Sequence, residues 1–130
     1  MNDNAIPIYL QLAERLCDEI VKGRYPENGR IPSVRDLAVT YELNNITVLH
    51  TFDALERRGL IFKRRGEGYF VKEGAVKILA KSRKERFYNE LLPQLFYDME
   101  TLGIPIDEVA RKYEEYLNSK SLTQNEEEQK

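Results

Sequence analysis

The sequence predicts a mainly α fold carrying one small β-hairpin, and three observations predict it. Apolar residues recur at helical spacing in three successive stretches between Pro7 and Gly59. A short β-like run around a glycine-rich turn follows at once, and two further amphipathic helical patterns fill the rest of the chain.

The first helix carries Ile8, Leu12, Leu16, Cys17 and Ile20 on one face. Pro7 suits its first turn and Gly23 its end. Arg24 to Ile31 reads as a turn segment through Pro26, Asn28 and Gly29, closed by Pro32. Ser33, three residues before Asp36, makes a weak capping box for a short second helix through Val34, Leu37, Ala38 and Tyr41. Asn44 or Asn45 caps a third helix with Val48, Phe52 and Leu55 inward, and Gly59 ends it. Leu60, Ile61 and Phe62 then start a strand, Arg64 to Gly68 turn, and Tyr69, Phe70 and Val71 return. Three helices followed by a hairpin is the order of a winged helix-turn-helix, whose third helix enters the major groove while the hairpin reaches the neighbouring backbone or minor groove.

Beyond a connector from Lys72 to Ala75, a long helical pattern runs through Ile78, Leu79, Phe87, Leu91, Leu92, Leu95, Phe96, Met99 and Leu102. Pro93 interrupts it, removing one backbone hydrogen bond. Gly103 and Pro105 close it, and Ile106, Val109, Ala110, Tyr113 and Leu117 mark a final helix. Two amphipathic helices with such faces make no core alone and must pack on the first domain or on a second subunit. The expected organisation is a winged helix-turn-helix domain over residues 1–75, a two-helix dimerisation tail over 76–117, and a polar, glutamate-rich, disordered end over 118–130.

Composition narrows the function. At 130 residues, 42% hydrophobic and 32% charged, the chain suits one compact domain plus an appendage, not an enzyme with its own cofactor-binding half. No glycine-rich phosphate loop, metal-ligand cluster or nucleophile–base set is visible, so no enzyme, cofactor or metal is expected. His50 is the single histidine, which excludes a metal site of several imidazoles within one subunit. Cys17 is the single cysteine, most simply a core residue, and it suits a reducing compartment. No apolar run approaches a membrane span, and Met1 to Asn4 lack signal-peptide character, so a cytoplasmic protein is expected. The net charge of −2 hides an asymmetry. Residues 1–84 hold 15 Lys and Arg against 11 Asp and Glu, net +4, while residues 85–130 hold 5 against 11, net −6. Phosphate attraction follows the local field, so the first half is compatible with DNA.

From Ile6 to Val71 the residues resemble the DNA-binding domain of the GntR regulators. The matching segments are Pro7-Ile8-Tyr9, Ile31-Pro32-Ser33-Val34-Arg35-Asp36-Leu37-Ala38, Asn44-Asn45-Ile46-Thr47-Val48, Leu55-Glu56-Arg57-Arg58-Gly59-Leu60-Ile61 and Arg65-Gly66-Glu67-Gly68-Tyr69-Phe70-Val71. The short remainder resembles the two-helix tail of the YtrA-like subfamily. The resemblance implies a homodimeric DNA-binding regulator, by default a repressor, on a double-stranded palindromic operator; the sequence shows no effector. It implies that Arg35 contacts phosphate or a base, against the plain alternative of an ion pair with Asp36, and that Thr47 contacts phosphate, against a capping or solvated hydroxyl.

Departures fall where bases are read. Asn45 and Leu49 stand where many relatives are basic. Opposite the core stripe of the third helix lie Ile46, His50, Asp53 and Arg57. Ile46 suits a thymine methyl and Asn45 an adenine edge, which predicts an A·T-leaning half-site; His50 touches phosphate, a base edge or solvent. In the hairpin, Gly66 and Gly68 permit a close-approaching tip, Arg64 and Arg65 attract phosphate with help from Lys63, and Glu67 opposes them. The expected DNA-binding set is Arg35, Asn44, Asn45, Ile46, Thr47, Leu49, His50, Arg64, Arg65, Gly66 and Gly68. The expected dimerisation set is Phe87, Leu91, Leu95, Phe96, Met99, Leu102, Val109 and Tyr113. The competing expectation is a winged-helix adaptor that has lost DNA binding.

Overall fold

The computed structural model describes the chain from Ala5 to Glu128. The featureless start at Met1 to Asn4 and the last two residues of the expected disordered end lie outside the described residues. The chain divides into two compact units, Met1–Lys84 and Glu85–Lys130.

In the first unit, helix α1 (Ile8–Val21) turns Leu12, Ala13, Leu16, Cys17 and Ile20 into the core. Helix α2 (Val34–Thr40) starts at Ser33, whose hydroxyl accepts the Asp36 N–H at 3.0 Å. Helix α3 (Asn45–Arg57) starts at Asn44: its carbonyl oxygen accepts the Ile46 N–H at 2.8 Å, deciding between the two asparagines. Strands β1 (Ile61–Arg64) and β2 (Gly68–Val71) pair antiparallel with Ile61 opposite Val71 and Arg64 opposite Gly68. Leu37, Ala38, Val48, Phe52, Leu55, Leu60, Ile61 and Val71 complete the core with α1. Burying a side chain of this size stabilises by about 1.5–3 kcal/mol relative to leaving it in water.

Two boundaries differ from the sequence reading. Helix α4 (Ala75–Arg86) does not belong wholly to the tail, because Ala75 and Leu79 are fully buried in the first unit's core. Its Arg83 donates to Asp18 at 2.6 Å and lies 3.6 Å from Glu14, tying it to α1. The compact unit therefore extends to Lys84, through most of α4, because Ala75 and Leu79 belong to its core.

In the second unit, the helical backbone passes through a π turn at Phe87–Leu91 before α5 (Leu92–Leu102). The Leu92 N–H reaches back to Phe87 O, and Pro93, with no N–H to give, follows at once. A wider turn just ahead of a proline lets the backbone avoid the ring without ending the helix. Helix α6 runs over Ile106–Glu128. The stretch from Asn118 to Glu128, expected to be disordered, continues that helix. It holds no glycine or proline to break the helix, and Lys120, Leu122, Gln124 and Glu126 to Glu128 are good helix formers. Among the described residues, no helix is long and apolar enough to cross a membrane.

Candidate nucleic-acid interface

Helix α3 sits in the first unit with its inner face locked. Val48, Thr51, Phe52 and Leu55 are fully buried. Thr51, which the sequence reading passed over as one more polar residue, donates its hydroxyl to Tyr9 O at 2.8 Å and approaches Thr47 O at 3.1 Å. That bond pins α3 to the start of α1 and so sets how far α3 projects.

The outer face of α3 is bare. Asn45, Ile46, Leu49 and His50 are exposed, with Ile46 at 63%, while Thr47 is half-buried beside the core. A β-branched apolar side chain that open to water on a short helix gains nothing from the fold itself. His50 leans edge-on against Tyr9, ring centroids 5.7 Å apart, at an open groove of about 440 Å³ between α1 and α3. Asp53 and Arg57 on the same side pair at 2.9 Å, which consumes one cation of the exposed face. Asn44 spends its carbonyl oxygen on the cap, leaving its amide N–H groups as donors.

Arg35 lies exposed in the first turn of α2 and makes no ion pair among the described residues, with Asp36 or any other carboxylate. The expected alternative of a local salt bridge is absent there.

The hairpin tip is the three-residue turn Arg65, Gly66 and Glu67, with the Glu67 N–H bonded to Arg64 O at 3.0 Å. Gly66 at φ +79° and Gly68 at φ +103° occupy backbone that other residues rarely adopt. The turn side chains are all exposed. Because strand side chains alternate, the hairpin's cations fall on two faces. Lys63 stands over the Tyr69 ring at 5.9 Å, on the face where Tyr69 packs against Phe52 of α3 at 4.5 Å. Arg64 lies on the other face, over Phe70 at 4.7 Å and Phe62 at 5.5 Å. Lys63, a supporting residue in the sequence reading, is therefore the strand cation on the α3 side. Arg30 was missed altogether; its guanidinium reaches Gly68 of the hairpin. Nothing local announced it, because it follows a turn of ordinary composition and only the long-range pairing brings it there.

Among the described residues no group of three or more metal-ligating side chains converges. The chemistry on offer is an open surface of fork-shaped and amide donors, with an apolar residue at its centre.

Comparison with known proteins settles the lineage. The family model for bacterial regulatory proteins of the gntR family matches residues 8–71. Over 103 residues the chain is 31% identical to the HTH-type transcriptional regulator YhcF of Bacillus subtilis, spanning 79% of this chain and 84% of that one. The chain belongs to the GntR family. This GntR chain is also 31% identical over 106 residues to the HTH-type transcriptional repressor YtrA of Bacillus subtilis, 82% of this chain and 81% of that one. A GntR-family structure from Bacteroides thetaiotaomicron superposes with a TM-score of 0.73 at 41% identity, covering 88% of this chain and 99% of that chain. The GntR regulators are DNA-binding transcription regulators and not enzymes, and the mostly helical fold with its two-stranded hairpin is theirs.

Proposed function

We propose that this GntR regulator acts in the cytoplasm as a homodimeric repressor on a palindromic operator, each protomer laying α3 in the major groove of one half-site. The observation that carries the reading is the bare first half of α3, with Asn45, Ile46, Leu49 and His50 exposed, in the same compact unit as the unpaired Arg35 and the cationic hairpin tip. Arg35 supplies a phosphate or base contact from α2, Arg65 and Lys63 hold the backbone beside the hairpin, and Asn45 and Ile46 read A·T pairs.

Dimerisation is supported by the second unit. None of its α5 residues is buried, and Phe87, Leu91, Leu95, Phe96, Leu102 and Tyr113 are exposed in the single chain, with Met99 and Val109 half-covered. A contiguous set of large apolar side chains left in water marks an interaction face, and a second copy of the chain would cover it. Repression is the activity in the name of the relative YtrA.

A titration of labelled duplex of random sequence across a salt series tests the core of this reading. Affinity falls steeply as salt rises, and Arg35→Ala weakens it at every salt. Weak, salt-independent retention would mark an adaptor that keeps the fold without the activity.

A further inference from the structure

The sheet is wider than its hairpin. Ile31 N–H bonds to Tyr69 O at 3.0 Å and Val71 N–H to Gly29 O at 2.9 Å, so Gly29 to Ile31 lies along β2 as a third, very short strand. Arg30 is paired with Phe70 between those two bonds, and residues directly opposite in an antiparallel pair project to the same face. That face already carries Phe62, Phe70 and Arg64.

Gly68 completes it. A Cβ at Gly68 would stand 3.2 Å from Arg30 Nε and 3.5 Å from its Nη2, so the guanidinium lies across the bare glycine. Gly68 is also the strand partner of Arg64, whose guanidinium rests on Phe70. The absent side chain thus makes room for Arg30 as well as permitting the turn.

Neither Arg30 nor Arg64 has a carboxylate within ion-pairing distance among the described residues. Arg24, Arg57, Arg58, Arg83 and Arg86 all do. We propose that Arg30 and Arg64 form a phosphate-binding site on the outer face of the hairpin, for the sugar-phosphate backbone of the DNA that α3 engages. A guanidinium stacked on a ring or across a glycine keeps its N–H edge free and already ordered, which suits the fork to phosphate oxygens. Arg64 stands exposed on the sheet face and Arg30 borders an open groove of about 460 Å³ beside Arg24, Tyr25 and Asp36; a site this open favours a polyanion over a small free anion. The chain also runs from Arg30 through Pro32 directly into α2, so Arg30 and Arg35 flank the same short link.

The site rests on the DNA-binding reading above, and one salt series separates the two. With the full chain and a labelled random-sequence duplex, Arg30→Gln and Arg64→Gln each reduce the slope of log affinity against log salt by about 0.9 per bound protomer. Each lowers affinity by about fivefold near physiological salt, while Arg30→Lys retains the wild-type slope because the charge remains. A structural role for these arginines would move the unfolding midpoint and leave the slope alone. A sloped wild type with both glutamine variants unchanged overturns the site; a flat wild type overturns the site and the DNA-binding reading together. Should Arg30→Gln fail to fold, Arg64→Gln decides, since Arg64 is exposed on the strand end and a surface change there is tolerated.

Discussion

Tyr69 of the hairpin and Phe52 of α3 hold their ring centroids 4.5 Å apart at an interplanar angle of 59°. This tilted contact ties the hairpin to α3, so the two elements proposed to meet DNA are held as one body. Tyr69→Ala should destabilise the first unit by about 1–2 kcal/mol, less than the roughly 3–5 kcal/mol for a fully buried ring because Tyr69 is only half-buried. Tyr69→Phe keeps the ring and should stay within about 0.5 kcal/mol of the parent. Thermal unfolding followed by DNA titration checks both: the alanine variant loses affinity at a temperature where it is still folded.

Base preference should follow Asn45 and Ile46. Replacing both with alanine removes an adenine-pairing amide and a methyl-contacting side chain, which should cost about 1–3 kcal/mol of discrimination at the affected positions. Selection from randomised duplexes reads the change directly. An unaltered preference in the double variant would move specificity to Leu49 and His50.

Phe96 is 53% exposed in the single chain, so Phe96→Asp costs the protomer little. In a dimer the same substitution buries an unpaired carboxylate in a unit that already carries net −6. Sedimentation should show monomer where the parent is dimer. Affinity for a palindromic duplex should fall at least about a hundredfold through lost linkage of the two half-sites, with single half-site binding little changed.

Alkaline pH should weaken the first unit through Cys17. Burial pushes its thiol from the ordinary 9.0 to about 11, with Arg58 partly opposing. The unfolded thiol then ionises first, so the contribution is complete below pH 9.0 and is lost as pH rises towards about 11. Tyr25 and Tyr69, both raised chiefly by burial, act in the same direction once pH passes the ordinary 10.0. Urea midpoints at about pH 8 and about pH 10.5 measure the loss, and Cys17→Ala should show a smaller difference between the two. The same burial makes Cys17 inert to alkylation until the unit unfolds.

Much of this molecule was legible in one dimension because its signals are local. Ser33 caps α2 by a bond to the N–H three residues on, and the 3.6-residue recurrence of Val48, Phe52 and Leu55 names the buried face of α3 without reference to any neighbour. A glycine-bearing turn between two short strands was legible too, but as Arg64 to Gly68; pairing of those two residues narrows it to Arg65, Gly66 and Glu67. The polarity of the end predicts disorder, yet the helix runs on to Glu128, because polarity speaks to packing more than to backbone conformation.

By itself, then, the order of residues determined the helices, the hairpin, the outward face of α3 and the family, since each depends on patterns within short stretches of the chain. Tertiary structure alone decided that Leu79 closes the first core, that Thr51 fastens α3 to Tyr9, that Lys63 rather than Arg64 takes the α3 side, and that Arg30 comes to rest across Gly68. Thr51 and Tyr9 lie 42 positions apart in the chain, and which side of a strand meets the core is settled only when the whole unit packs.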